Sequence, residues 1–190
     1  MLLNRVAAKA HNAIQVVDDT NTTRPLKKLN FVWAGGKLQD AVAVTDPQAG
    51  FLVGQILTFP DNLIYIVAKI TDDFYHTVQI RANLELVLCN NTVTISRQMP
   101  QSNNQGGISG HVDTIVYQDL PCKVINLDSS VDKLNDVNLN KYAVYIPITK
   151  PVEVGDKLQF AHSYGVSKVE GIKEPTLGLF ELAFDRDLRW

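Results

Sequence analysis

Metal and redox motifs are missing from this chain. Its two cysteines, Cys89 and Cys122, stand far apart in apolar, strand-like runs and lack the close spacing of a zinc knuckle or a dithiol site. They read as two buried thiols rather than a disulfide. Long hydrophobic runs are equally scarce. No stretch approaches the roughly twenty apolar residues that span a bilayer, and Arg5, Lys9 and His11 interrupt the apolar start before a signal-peptide core can form. A soluble protein made in the cytoplasm, with no membrane partner, is expected. Positive charge is not in excess either: a formal net charge of −2 leaves no general basic field for gripping nucleic acid. Arg24, Lys27 and Lys28 form a local cluster that reads as solvated linker.

Catalytic signatures are also lacking. Gly107-Ile108-Ser109-Gly110 does not have the spacing of a nucleophile elbow. Gly35-Gly36-Lys37 follows a strand but lacks the remaining glycines and the Ser or Thr of a phosphate loop, so it reads as a hairpin turn. His11, His76, His111 and His162 fall in different elements, and only His111 has a second candidate ligand, Asp113, nearby. Two ligands in a loop do not make a metal site. Asp18-Asp19 and Asp72-Asp73 sit in polar turns, where stopping or turning the chain explains them better than acid–base chemistry. The expectation is a protein that is not an enzyme and carries no cofactor or metal.

What the chain does contain is alternation. Leu2, Leu3, Val6, Ala7, Ala10, Ile14 and Val17 recur at helical spacing, which predicts an amphipathic arm over residues 1–17, followed by a polar linker to residue 28. From Leu29 the period becomes two and the residues β-branched and aromatic: Phe31–Trp33, Ala41–Val44, Gln55–Phe59, Leu63–Ile70, His76–Cys89 and Thr92–Ser96. Pro60-Asp61-Asn62 and Asn90-Asn91 are the natural hairpin turns. Residues 29–97 thus form a first β-unit. Residues 98–113 are rich in Gln, Asn, Ser and Gly and predict a long exposed loop. Residues 114–190 form a second β-unit, with a loop or short helix between Asp128 and Asn140.

One phrase occurs in both units: Val53-Gly54-Gln55-Ile56-Leu57-Thr58-Phe59 and Val154-Gly155-Asp156-Lys157-Leu158-Gln159-Phe160. Either a β-module is present twice, or two unrelated strands each begin after a glycine that supplies a positive φ.

The second unit has a recognisable order of parts. Tyr117-Gln118-Asp119-Leu120-Pro121-Cys122-Lys123-Val124 is followed by a variable loop, then by Lys141–Pro147, then by the Val154-Gly155-Asp156 turn, then by Val166–Ile172 and Phe180–Phe184. This series resembles the head-closure (stopper, or head–tail connector) proteins of tailed bacteriophages, over residues 113–185. The resemblance implies an all-β protein, a small SH3-like barrel or β-sandwich with an N-terminal helical arm. It further implies a structural virion protein of the phage neck: a homo-oligomeric ring, commonly twelve-fold, under the portal, assembled in the host cytoplasm. Such a ring contacts the portal or adaptor protein and the tail proteins, and genomic DNA passes through it without sequence-specific binding. A tail terminator or minor tail protein is the nearest alternative. A carbohydrate- or ligand-binding β-domain is an alternative of another class.

Candidate contact residues follow from exposure and placement. Met99, Gln101, Asn103, Asn104, Gln105 and His111 belong to the polar loop, which is expected to act as a gate or docking element. Arg186, Arg189 and Trp190 belong to a charged tail that ends on an aromatic.

Overall fold

The computed structural model describes residues 13–34, 37–102, 107–126, 141–162, 165–176 and 178–186. Nearly all of them are in strands. β1 (Ile14–Asp18), β2 (Thr23–Leu26), β3 (Lys28–Ala34), β4 (Lys37–Thr45), β5 (Ile56–Thr58), β6 (Ile64–Tyr75) and β7 (Val78–Leu88) form a seven-stranded sheet in the order β2-β1-β5-β6-β7-β4-β3. β8 (Asn91–Ser102), β9 (Ile108–Asn126), β10 (Lys141–Pro147), β11 (Lys157–Phe160), β12 (Val166–Thr176) and β13 (Leu179–Arg186) close into a barrel in the order β10-β13-β12-β11-β8-β9. The chain divides accordingly into two compact units. The first holds Met1–Cys89 with Pro147–Thr149 and Leu177–Leu179, and the second holds the remainder.

The seven-stranded sheet is curled until its ends meet. Its two end strands, β2 and β3, are separated in the chain by Lys27 alone, so a flat sheet is sterically excluded. The seam is held from β4: Lys27 N–H donates to the Val44 carbonyl (2.8 Å), and the buried Thr45 hydroxyl donates to the Pro25 carbonyl (3.0 Å). Inside lie Leu26, Leu57, Leu84 and Leu86, with the Phe59 and Tyr65 rings 4.9 Å apart.

With β2 and β3 taken as one bent strand, the two units share one strand order. β1, β4, β5, β6 and β7 occupy the places of β8, β10, β11, β12 and β13, and the β2–β3 pair occupies the place of β9. β9 itself is bent. Its residues up to Cys122 pair with β8 and Lys123–Asn126 pair with β10, and Asp119, at the register shift opposite Val93 and Ile95, has φ 48°. The core of the second unit is built alike, from Val93, Ile95, Leu158 and Leu182 with Phe184 against Tyr142 and Phe160.

The doubled phrase falls at the same place in each unit, and the two turns are bonded identically. Gly54 (φ 81°) donates its N–H to the Val67 carbonyl (2.8 Å), Val67 N–H returns to the Gln55 carbonyl (2.9 Å), and Gln55 N–H donates to the Leu52 carbonyl (3.2 Å). Gly155 (φ 96°) donates to Val169 (2.9 Å), Val169 N–H returns to Asp156 (2.9 Å), and Asp156 N–H donates to Glu153 (3.1 Å). In each, the side chain after the glycine accepts the N–H three residues back: Leu52 N–H to Gln55 Oε1 (3.2 Å) and Glu153 N–H to Asp156 Oδ2 (2.8 Å).

Several expectations are corrected. No helical arm is seen: Ile14–Asp18 is a strand paired with β2 and β5, and residues 1–12 lie outside the described residues. Val17 is 39% exposed on the outer face of β1, and this outward apolar residue gave the segment its helical spacing. The expected linker contains β2. The first unit ends at Cys89 rather than residue 97, because β8 pairs within the barrel. Asn90-Asn91 is therefore a passage between units and not a hairpin turn. Residues 98–102 and 108–113 are paired strands rather than a loop. The segment Asp128–Asn140 lies outside the described residues.

Arg24 is likewise no solvated linker residue. The Asp18 carboxylate, with a fully buried side chain, accepts from Arg24 Nε (2.6 Å), Gln55 Nε2 (2.8 Å), the Thr20 hydroxyl (2.6 Å) and the N–H groups of Thr20 (2.9 Å) and Thr22 (2.8 Å). Burial alone would push this carboxyl up, but the Thr20 and Arg24 side-chain bonds and the two backbone bonds together outweigh it. They hold it well below the usual carboxylate range.

A folded-state pKa below the unfolded value of 3.8 contributes stability that is present above pH ~4 and is lost as pH falls through the lowered value. Asp18→Asn should therefore cost about 3 kcal/mol at pH 7 and flatten the acid limb of stability against pH, measured by urea unfolding between pH 2 and 7. Gly155→Ala should cost about 1–2 kcal/mol from the left-handed backbone alone. Gly54→Ala should cost about 1 kcal/mol more in the same assay, because its Cβ would meet Ile148 Cγ2 at 2.9 Å.

Candidate interaction surface

Each unit projects a two-stranded ribbon beyond its core. In the second unit the ribbon is formed by the far parts of β8 and β9, from Gln98 opposite Asp113 to Ser102 opposite Ile108. Met99 faces Val112 across the ladder, Pro100 faces His111, and Gln101 faces Gly110. Direct apolar pairing of this kind is what gives a solvated ribbon its register. Met99, Val112 and the nearby Ile115 are all exposed.

The root of this ribbon is clamped by charge. Arg97 grips Asp156 with both Nε and Nη2 at 2.8 Å and reaches Glu153 with Nη1 at 2.6 Å. Lys157 pairs with Asp113 on the opposite strand. Asp156 is 2% exposed, and burial would raise its carboxyl. The bidentate Arg97 fork and the Glu153 N–H hold it lower instead, and the same Asp156 contact raises the guanidinium of Arg97.

In the first unit the ribbon is the outer part of β6 and β7. Tyr75 faces Val78, and His76 opens the turn with φ 54°, its ring 4.5 Å from that of Tyr75. Tyr75 and Val78 are 68% and 64% exposed, and Phe74 and Ile80 are also exposed. Here too an ion pair stands at the root. Asp73 takes Arg81 and the Asn83 amide (2.9 Å), and these two hydrogen bonds hold its carboxyl below the usual range.

The structure thus brings Met99, Gln101 and His111 together on one ribbon. Asn103, Asn104 and Gln105 lie outside the described residues, as do Arg189 and Trp190, and Arg186 is the last residue of β13. The first-unit ribbon was not legible as a contact surface in the sequence. Its signal is the run Phe74, Tyr75, Val78 and Ile80, which reads as ordinary strand until the core is seen to end at Ala82. No group of three or more metal-ligating side chains occurs among the described residues. Among them, too, no helix is long and apolar enough to cross a membrane.

Asp156→Asn removes one end of the clamp and leaves the guanidinium without its fork partner. The expected cost is about 2 kcal/mol by urea unfolding. Hydrogen exchange should rise first at amides 98–102 and 108–113.

Comparison with protein-family models, curated proteins and solved structures finds no match for this chain.

Proposed function

We propose that the protein is a structural component of a phage virion, a neck protein that forms a ring under the portal and joins head to tail. The observation that carries this reading is the pair of apolar ribbons. A ring is built by heterologous contact, in which each subunit presents two unlike patches to its neighbours. Tyr75, Val78 and Ile80 form one patch, and the Met99–Val112 pair forms another. They occur on different strands of a shared barrel plan, so they are chemically and geometrically unlike. The ordered motifs over residues 113–185 support the same role. So does the near-neutral charge, which lets DNA pass without a salt-dependent grip. The SH3-like character of the barrels belongs to this proposal.

The decisive test is genetic. In the phage that encodes the chain, a nonsense mutation in its gene should leave DNA-filled heads and free tails that do not join. Normal joined particles would overturn the reading. In vitro, negative-stain images and native mass spectrometry should show closed rings, twelve-fold as the resemblance implies. Six-fold rings would point instead to a tail terminator. Val78→Asp with Ile80→Asp should abolish assembly while shifting the melting temperature little, because both side chains are already exposed, and Met99→Thr with Val112→Thr should do the same while keeping a favourable cross-strand pair.

A further inference from the structure

The second unit's ribbon hangs on one apolar rung. Its rungs run Gln98–Asp113, Met99–Val112, Pro100–His111, Gln101–Gly110 and Ser102–Ile108, and only Met99–Val112 sets an apolar side chain on both strands. Cross-strand packing in this ribbon is therefore concentrated at a single place. Met99 is 47% exposed and Val112 is 48% exposed, so solvent reaches both members of the rung. Met99 is also chemically singular. The chain has two methionines, and the other is Met1. Cys122 is fully buried and Cys89 is half-buried, which leaves the Met99 thioether in the most open of the described sulfur-bearing side chains.

We infer that Met99 is a reversible oxidation site whose sulfoxide loosens this ribbon and silences its apolar patch. The oxidant is a peroxide. The thioether sulfur attacks one peroxide oxygen, and the S–O bond forms as the O–O bond breaks. The other oxygen takes up the proton of the transferred one and leaves as water. Sulfur gives up two electrons and the peroxide accepts them. The product keeps the length of methionine but replaces a soft apolar end with a strongly polar S=O group. The Val112 side chain offers that group no donor, so it turns to water and the apolar rung is lost. The Arg97–Asp156 clamp lies below this rung, at the root of the ribbon, and confines the change to the residues beyond it. Loss of the patch rests on the assembly reading above, whereas loosening of the ribbon does not. The switch acts on the free subunit, before a neighbour covers the Met99–Val112 pair.

The test treats the full chain with hydrogen peroxide and reads it by peptide mass spectrometry and hydrogen exchange. One oxygen atom should be added at Met99. Exchange at amides 98–102 and 110–113 should rise about twofold to fivefold, the worth of one cross-strand pair, while exchange in the barrel stays unchanged. Methionine sulfoxide reductase with a thiol reductant should reverse both changes. Met99→Gln should show the faster exchange without peroxide, and Met99→Leu should keep the slower exchange with it. Rings of the untreated chain should be lost on oxidation and recovered on reduction, and those of Met99→Leu should survive peroxide. The inference is overturned if peroxide leaves Met99 unmodified, if the sulfoxide forms with ribbon exchange unchanged or rings intact, or if Met99→Leu responds like the parent chain. Absence of rings before oxidation would count against the assembly reading alone, because ribbon exchange still decides the fate of the switch.

Discussion

Both units depend on one device: a buried hydrogen-bonding side chain placed directly after a left-handed glycine. The glycine turns the chain so that its own N–H and the next carbonyl dock onto the following strand, at Val67 in one unit and Val169 in the other. The side chain of Gln55 or Asp156 then closes the turn from inside. This fixes where β5 and β11 enter their barrels. Because these strands are short and sit in the middle of the strand order, a slip of one residue would turn Leu57 or Leu158 out of the core. The turn sets the register that burial then rewards.

The same side chains carry that order to a further strand. Gln55 donates to Asp18 at the end of β1, and Asp156 accepts the Arg97 fork from β8, the strand that holds the corresponding place. The chemistry is reversed while the geometry is kept. A neutral amide meets a buried carboxylate in the first unit, and a carboxylate meets a guanidinium in the second. Each buried charge therefore has a partner, which is the condition for keeping it inside at all. The reversal also explains why the doubled phrase is weak as sequence: the residue after glycine is constrained to be a hydrogen-bonding acceptor, not to be one residue type.

Period-two alternation was enough to read the class and most strands, because β4, β7 and the near part of β8 each have one buried and one less buried face. It failed where that asymmetry fails. Val17 points outward and Ile14 and Val16 do not, and this mixture imitates a helix. The ribbon of residues 98–102 and 110–113 has solvent on both faces, so nothing in its composition distinguishes it from a loop; cross-strand pairing alone defines it. Asn90 reads as a turn residue because its side chain imitates a peptide group. Here that property serves pairing instead, with its amide donating to the Val124 carbonyl (2.8 Å) and accepting the Val124 N–H (2.7 Å). Asp18 and Arg24 were hidden for a related reason: polar residues near a turn look solvated until Gln55 is brought to them.

A shared strand order makes the differences between the units informative. Where the first unit passes from β1 to β2 through a tight turn pinned by Asp18, the second runs out into the long β8–β9 ribbon. The first unit's own ribbon springs from β6 and β7, a different corner of the same plan. Lengthening a hairpin costs little in loop entropy and leaves the core untouched, so ribbons can be added to units of this plan without disturbing the turn that organises them. Two units lengthened at the same corner would offer repeated patches. Units lengthened at different corners offer two unlike ones, each locked at its root by an ion pair, and unlike patches are what directional association between identical subunits requires.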